Sequence, residues 1–250
     1  MTIEKGKRIL LVGASGDLGY AVLERLSGCD ILVGAHYCHN RSRLDQFLAR
    51  ENRAKIKLFS GEVSSQSGSR KIVQSFKKWA GGIDGLIQMS GSVSHVRHWE
   101  DLNQGDWDRD IAVNLSGPFF LAQEAMKHMK REGGKVIFTS TASASHGGGG
   151  NSMAYGTAKA GIECITKGLA REGAKQNILV NAVAPGLIMT KFHREQMHRT
   201  KKQLEERARL VPLKRAGSPE DVAGMVMYLL SPAGNYITGH IINVSGGDWL

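Results

Sequence analysis

The chain has 250 residues, 41% of them hydrophobic, and a formal net charge of +10 from 33 Lys and Arg against 23 Asp and Glu. That is enough apolar material for a full core in one large domain or two small ones, whereas apolar runs such as Ile9 to Val12 and Ile31 to Val33 fall far short of the roughly 20 residues that cross a bilayer. No membrane partner is expected, and the polar start Met1 to Lys7, without an apolar stretch and cleavage site, predicts a cytoplasmic protein.

Arg8 to Val12 reads as a first strand that ends in Gly13-Ala14-Ser15-Gly16-Asp17-Leu18-Gly19 and passes into the helical run Tyr20 to Leu26. A dinucleotide pyrophosphate would sit at this turn, because helix N-terminal amides meet the anion and glycines let the chain approach closely. The second strand, Ile31 to Ala35, should lead to the group that reads the adenine ribose: a carboxylate favours NAD, and basic residues tolerate the extra phosphate of NADP. Tyr37 stands where an Asp would be, with His36, His39, Arg41 and Arg43 around it, so NADP(H) is favoured over NAD(H), although Asp17 opposes a nearby phosphate.

Cys29, Cys38 and Cys164 lack CxxC spacing and fit a reducing compartment. His36, Cys38 and His39 lie close together, but no second ligand pair follows at zinc spacing and alternate strand residues face opposite ways, so no metal site is expected.

Further strands are predicted at Lys55 to Phe59, Ile83 to Met89, Lys135 to Thr139, Ile178 to Ala184 and His240 to Val244, with helical pattern filling most of the gaps. Continuously apolar strands alternating with helices predict an α/β fold, a doubly wound parallel sheet covered on both faces. No repeat and no Pro/Ser-rich linker divides the chain, so residues 1–250 read as a single domain, with Gly147 to Gly150 a flexible loop.

Tyr155 and Lys159 are four apart in Ser152-Met153-Ala154-Tyr155-Gly156-Thr157-Ala158-Lys159, so on a helix they share a face. Carbonyl reduction needs a proton donor at the oxygen as hydride reaches carbon, and a phenol with a pKa near ~10 exchanges protons poorly at neutral pH. A neighbouring ammonium would stabilise the phenolate; bringing the phenol near neutrality takes roughly 4 kcal/mol.

This YxxxK, the glycine turn, Asn114 in Val113-Asn114-Leu115 and Asn181-Ala182-Val183-Ala184-Pro185-Gly186 together resemble the short-chain dehydrogenase/reductase family. The resemblance spans nearly the whole chain, continuing in Trp107-Asp108-Arg109, in Leu187-Ile188-Met189-Thr190, and in Tyr236-Ile237-Thr238-Gly239 through Ser245-Gly246-Gly247. It implies a seven-stranded Rossmann sheet and an NAD(P)(H)-dependent enzyme in which Tyr155 is the general acid/base, Lys159 lowers its pKa and binds the nicotinamide ribose, and Asn114 holds a relay water. It also implies a hydroxyl after the fifth strand that binds the substrate oxygen. Ser140, Thr141 and Ser143 are the candidates; counting from Gly134 points to Thr141, residue type and a one-residue shift point to Ser140, and Ser140 is chosen.

The cofactor contacts that the resemblance implies are Gly13, Ser15, Gly16, Asp17, Leu18 and Gly19 at the pyrophosphate, then Tyr37, Glu62, Val63, Ser90 and Gly91 on the adenosine side. Asn114, Tyr155, Lys159, Pro185, Gly186, Ile188 and Thr190 complete the set towards the nicotinamide. The chain departs from the family pattern at Asp17, which occupies a usual glycine position, at Gln88-Met89-Ser90-Gly91, where Asn-Asn-Ala-Gly is usual, and at Glu62, where Asp is usual.

By the same resemblance residues 190–212 form a substrate lid, here strongly basic: Lys191 to Arg215 gathers Lys191, Arg194, Arg199, Lys201, Lys202, Arg207, Arg209, Lys214 and Arg215. With Lys130, Arg131, Arg171 and Lys175, these cations would steer an anionic substrate, which favours a 3-oxoacyl thioester on acyl carrier protein or coenzyme A. A sugar, polyol or steroid-type alcohol is the alternative. A non-catalytic dinucleotide sensor or nucleic-acid binder would also use the charge, but it needs no proton-transfer set, and no nucleic-acid motif is present. Assembly as a homotetramer or homodimer through Gln104 to Arg131 and Ser152 to Lys175 is implied by the resemblance.

Overall fold

The computed structural model describes residues 2–50, 55–129 and 133–249. Its strands are β1 (Arg8–Val12), β2 (Leu32–Tyr37), β3 (Ile56–Ser60), β4 (Gly85–Gln88), β5 (Gly134–Thr139), β6 (Ile178–Pro185) and β7 (Ile241–Val244). All pair in parallel in one sheet of order β3-β2-β1-β4-β5-β6-β7. The expected fold class holds.

The strands are apolar throughout because both faces are covered. Leu10 and Val12 of β1 pack with Phe76, Phe138 and Ile162 on one face, while Ile9 and Leu11 pack with Leu23, Leu26 and Val226 on the other. The helices in chain order are α1 (Asp17–Ser27), α2 (Ser42–Arg50), α3 (Gln66–Ala80), α4 (Gln104–Ile111), α5 (Gly117–Met126), α6 (Met153–Gly173), α7 (Lys201–Leu210) and α8 (Pro219–Leu230). Helices α1, α2 and α8 cover one face, α3, α5 and α6 the other. Lys135 closes the C-terminal end of α8: its ammonium donates to the carbonyls of Leu229, Leu230 and Ser231 at 3.0, 3.2 and 2.7 Å, where a cation offsets the helix dipole.

Two predicted helical stretches are interrupted. The stretch Gln104 to Arg131 contains a wider π turn at Ala112–Ser116 between α4 and α5. Pro118 explains it, since proline has no N–H to give the carbonyl of Asn114 four residues earlier; Lys130 and Arg131 lie outside the described residues. Residues 190–212 split into a π turn at Phe192–Gln196 and α7, because Thr200 and Gln203 form a reciprocal capping box that starts a new helix. Among the described residues no helix is long and apolar enough to cross a membrane.

Candidate active site

The strand order reverses between β1 and β4, and the crevice at the carboxyl ends of such strands is where α/β sheets bind ligands. A cleft of about 510 Å³ opens there, lined by Ser15 to Leu18 from the glycine turn, Ser90 and Gly91 after β4, Ser140 and Thr141 after β5, Pro185, Gly186 and Ile188 at the end of β6, Thr190, and Tyr155 and Lys159.

The turn is shaped for close approach. Gly13 has φ +83°, and a Cβ there would stand 2.6 Å from the Ser90 amide nitrogen. A Cβ on Gly19 would stand 2.1 Å from the Gly13 carbonyl oxygen. Gly13 and Gly19 therefore shape the turn behind the cleft. Gly16 caps α1 without a side-chain hydrogen bond, so the amides of the first helical turn are left for an anion. These features fit a dinucleotide pyrophosphate. Asp17, the departure from the family pattern, is spoken for: one oxygen accepts from Arg43 and the other from the Lys191 amide, both at 2.7 Å. Its charge is neutralised, and it ties the turn to the backbone at Lys191.

At the adenosine side the expected cations are mostly engaged, which corrects the simple count of basic residues. His36 is 1% exposed, burial lowers its pKa, and its Nε2 donates to the Gly61 carbonyl at 2.9 Å, so it stays neutral and out of reach of a phosphate. Arg41 is paired with Asp45. Arg43 stacks 3.7 Å above the Tyr20 ring and, with Asn40, lines the cleft. Tyr37, Glu62, Val63 and Asn114 lie outside the lining proper. Glu62 accepts from the amides of Val63 and Ser64 at 2.9 and 3.0 Å, fixing the turn after β3. Gln88 donates to the carbonyl and hydroxyl of Ser90, both at 2.8 Å, and so steadies the turn after β4.

Tyr155 and Lys159 project from one face of α6 as the spacing predicts. Lys159 is 2% exposed, with its ammonium 5.5 Å from the Tyr155 ring centre and donating to the Thr139 carbonyl at 2.8 Å. Burial pulls the Lys159 pKa down to about 8. Burial also pushes the Tyr155 phenol up, and the charge of Asp110 adds to this. In this arrangement desolvation sets the direction of the phenol's shift, while the Lys159 ammonium is held by the Thr139 carbonyl. Phe192 lies against the tyrosine, ring centres 5.7 Å apart.

Ser140 is 1% exposed and its one hydroxyl hydrogen is shared between Glu163 at 3.0 Å and the Lys159 carbonyl at 3.2 Å, which turns it into α6. Thr141 instead lines the junction of the main cleft with a second compartment, its Oγ1 3.2 Å from the Ser143 hydroxyl. The geometry favours Thr141 over the chosen Ser140. Asn114 is fully buried on the π turn, with both amide hydrogens given to the carbonyls of Ser92 and Asp110 at 2.7 and 3.0 Å. Its side chain can offer a water only its oxygen, which already accepts from the Ser92 amide at 3.1 Å.

The second compartment, about 330 Å³, is walled by Leu187, Met197, Leu204 and Trp249, with Arg199 exposed beside it. Arg207 pairs with Asp248 and lies 5.4 Å from the Trp249 ring, holding the C-terminal segment against α7. Sequence reasoning missed Trp249, Phe192, Asp110 and Glu163. Only Glu163 carried a local signal, standing four residues beyond Lys159. The basic stretch Lys191 to Arg215 is also less free than its count suggests: Lys201, Lys202 and Arg215 pair with Glu205, Glu206 and Asp221.

Comparison with known proteins agrees with this geometry. A family model described as Enoyl-(Acyl carrier protein) reductase matches residues 13–248. The chain is 31% identical over 246 residues to a 3-oxoacyl-[acyl-carrier-protein] reductase of Aquifex aeolicus, covering 97% of each chain. Among solved structures, a short-chain dehydrogenase/reductase of the glucose/ribitol dehydrogenase type from Brucella melitensis superposes with a TM-score of 0.90 at 29% identity over 100% of both chains. A Burkholderia cenocepacia short chain dehydrogenase in complex with NADP superposes with a TM-score of 0.88 at 25% identity, over 97% of this chain and 98% of that one.

Proposed function

The chain belongs to the short-chain dehydrogenase/reductase family of oxidoreductases, and on that premise we propose that it reduces the 3-oxo group of an acyl thioester carried on acyl carrier protein or coenzyme A, using NADPH. The observation that carries the substrate reading is the second compartment. Its apolar wall of Leu187, Met197, Leu204 and Trp249 suits an acyl chain, it opens on Thr141, and the exposed Arg199 beside it has no acidic partner among the described residues. A polyol would set hydroxyls against that apolar wall, where an acyl chain would bury it. The 3-oxoacyl reductase among its relatives supports the same reading.

The bound nicotinamide supplies the hydride. Tyr155 gives the proton to the substrate oxygen, and Thr141 orients that oxygen from the other side of the cleft. Lys159, protonated below about pH 8, holds the nicotinamide ribose and stabilises the phenolate left behind. The glycine turn from Gly13 to Gly19 takes the pyrophosphate. Arg43 and Asn40 take the extra phosphate of NADP, in keeping with Tyr37 in place of a carboxylate. The NADP bound by the Burkholderia cenocepacia neighbour is consistent with this preference.

Residues 190–212 act as the lid of a single domain. The free cysteines suit the reducing cytoplasm. Helices α4, α5 and α6 form the contact of a homotetramer or homodimer, which sedimentation as a monomer would refute.

Steady-state turnover with acetoacetyl-coenzyme A, run against neutral ketones and polyols with NADPH and NADH in turn, tests the reading. Higher kcat/KM for the thioester and for NADPH is expected. Polyol oxidation without thioester reduction would overturn it.

A further inference from the structure

We propose that Cys38, His39 and Glu62 form a binding site for a divalent transition metal of the zinc type, at the carboxyl ends of β2 and β3 and apart from the proton-transfer groups.

Parallel pairing creates the site. Tyr37 of β2 is in register with Ser60 of β3, so the residues that follow each strand emerge side by side. Cys38 Sγ then lies 3.4 Å from His39 Nε2 and 3.5 Å from Glu62 Oε2, and the three donor atoms all fall within 4.8 Å of one another. A tetrahedral zinc ion with bonds of ~2.3 Å to sulfur and ~2.0–2.1 Å to nitrogen and oxygen sets neighbouring ligand atoms about 3.5 Å apart. The two separations from Cys38 match that shell, and the third, between His39 and Glu62, is within 4.8 Å.

The carboxylate is held in place for the task. Glu62 Oε1 is fixed by the amides of Val63 and Ser64, leaving Oε2 directed at the thiol, which is the outer-shell support that metal-binding carboxylates use. A thiolate and a carboxylate together balance a doubly charged ion, and the imidazole adds a neutral donor. One sulfur, one nitrogen and one oxygen suit Zn²⁺ and Co²⁺, whereas Mg²⁺ and Ca²⁺ demand oxygen. Cys38 is partly buried while His39 and Glu62 are exposed, so an ion has a path in, and three protein ligands leave a fourth position for water. The sequence hides the site because Glu62 comes from the neighbouring strand and not from a local spacing motif. A bound ion would tie the two strand ends together and stabilise the folded chain by mass action.

Co²⁺ titration of the reduced, full-length protein in chelator-free buffer tests the site, since cobalt bound by a thiolate shows charge-transfer absorption and tetrahedral d–d bands. One Co²⁺ per chain, displaced by Zn²⁺ and accompanied by a rise in Tm, is expected. Cys38→Ser should abolish the charge-transfer band, and Glu62→Gln and His39→Gln should each weaken binding by at least about 10-fold. Cys29→Ser and Cys164→Ser should leave it intact. Wild-type protein that shows no such band, or a band that survives Cys38→Ser, overturns the proposal; matched metal-free Tm values guard against misfolded variants.

Discussion

The Lys159 ammonium stands 5.5 Å from the centre of the Tyr155 ring and gives its hydrogen bond to the Thr139 carbonyl. The two side chains proposed to carry the chemistry thus lie close together while the ammonium's hydrogen bond goes to the strand. A charge coupling between them would grow as water leaves the cleft, because a unit charge acts more strongly at low dielectric.

Removal of the phenolic hydroxyl isolates its part. Tyr155→Phe keeps the ring against Phe192 and leaves the glycine turn untouched. Turnover should fall by about 10²–10⁴, the range a positioned general acid supplies. NADPH affinity, followed by fluorescence, should change little. Loss of dinucleotide binding in parallel with turnover would assign Tyr155 a structural role instead.

Asp110 offers control over the phenol from a distance. Its charge raises the Tyr155 pKa, and Asp110→Asn removes the charge while keeping an oxygen to accept from the Ser94 amide and hydroxyl. With the phenolate as base in alcohol oxidation, a lower phenol pKa moves the rising limb of the pH profile to lower pH. A pH series of kcat/KM in the oxidative direction reads this; an unmoved limb would show that another group titrates there.

The substrate hydroxyl can be assigned by two exchanges. Thr141→Val should lower kcat/KM by roughly 10-fold or more, as expected for one lost hydrogen bond to a developing charge, and Thr141→Ser should restore most of it. Ser140→Ala should leave the rate close to wild type and cost about 1 kcal/mol of stability in denaturant titration, since its bonds to Glu163 and the Lys159 carbonyl hold α6. The opposite pattern would return the role to Ser140.

These residues show what a linear reading can reach. The seven strands were legible because burial on both faces forces continuous apolar runs such as Ile9 to Val12. Gly13 to Gly19 and the spacing of Tyr155 and Lys159 were legible because turn and helix periodicity are local. Ser140 against Thr141 was not, since neighbouring residues at a strand end face opposite ways and a one-residue shift reverses the assignment. The engagement of Arg41 by Asp45 lies within one helical turn and was open to reading; that of Arg43 by Asp17 joins residues 26 apart and depends on how α1 and α2 pack. The wall supplied by Trp249 depends on the Arg207–Asp248 pair, which no local pattern announces.

Lys159 trades stability for function. A pKa lowered from 10.5 to about 8 in a side chain 2% exposed corresponds to on the order of 3 kcal/mol against the charged form in the folded state. The unfolded chain binds more protons between these values, so folding stability rises with pH through about 8 to 10.5. Lys135, also lowered to about 8, contributes in the same direction. Lys159→Met leaves the Thr139 carbonyl without its donor yet removes the larger charge penalty, so it should raise Tm near pH 7 by a few degrees while abolishing turnover. The alkaline rise in stability should shrink without vanishing, because Lys135 remains. A lower Tm at pH 7 would mean that the bond to Thr139 outweighs the burial of the charge.

Arg43 should decide between the two dinucleotides through competition with a carboxylate. In the structure one of its NH groups is held by Asp17 at 2.7 Å while the guanidinium lies over Tyr20, so a phosphate arriving at this end of the cleft must share the arginine with Asp17 or displace it. A hydrogen bond between charged partners contributes about 1.5–3 kcal/mol, and each 1.4 kcal/mol is a factor of ten. Arg43→Leu should therefore raise the KM for NADPH by about 10–100-fold. It should leave the KM for NADH within a few fold, and the salt dependence of NADPH binding should flatten as one phosphate contact is lost. Asp17→Asn should act in the opposite sense on NADPH by freeing Arg43, although it also weakens the hold on the Lys191 amide. If Arg43→Leu weakened both dinucleotides equally, the arginine would act only by neutralising Asp17 beside the pyrophosphate turn, and the preference for NADPH would have to come from other groups.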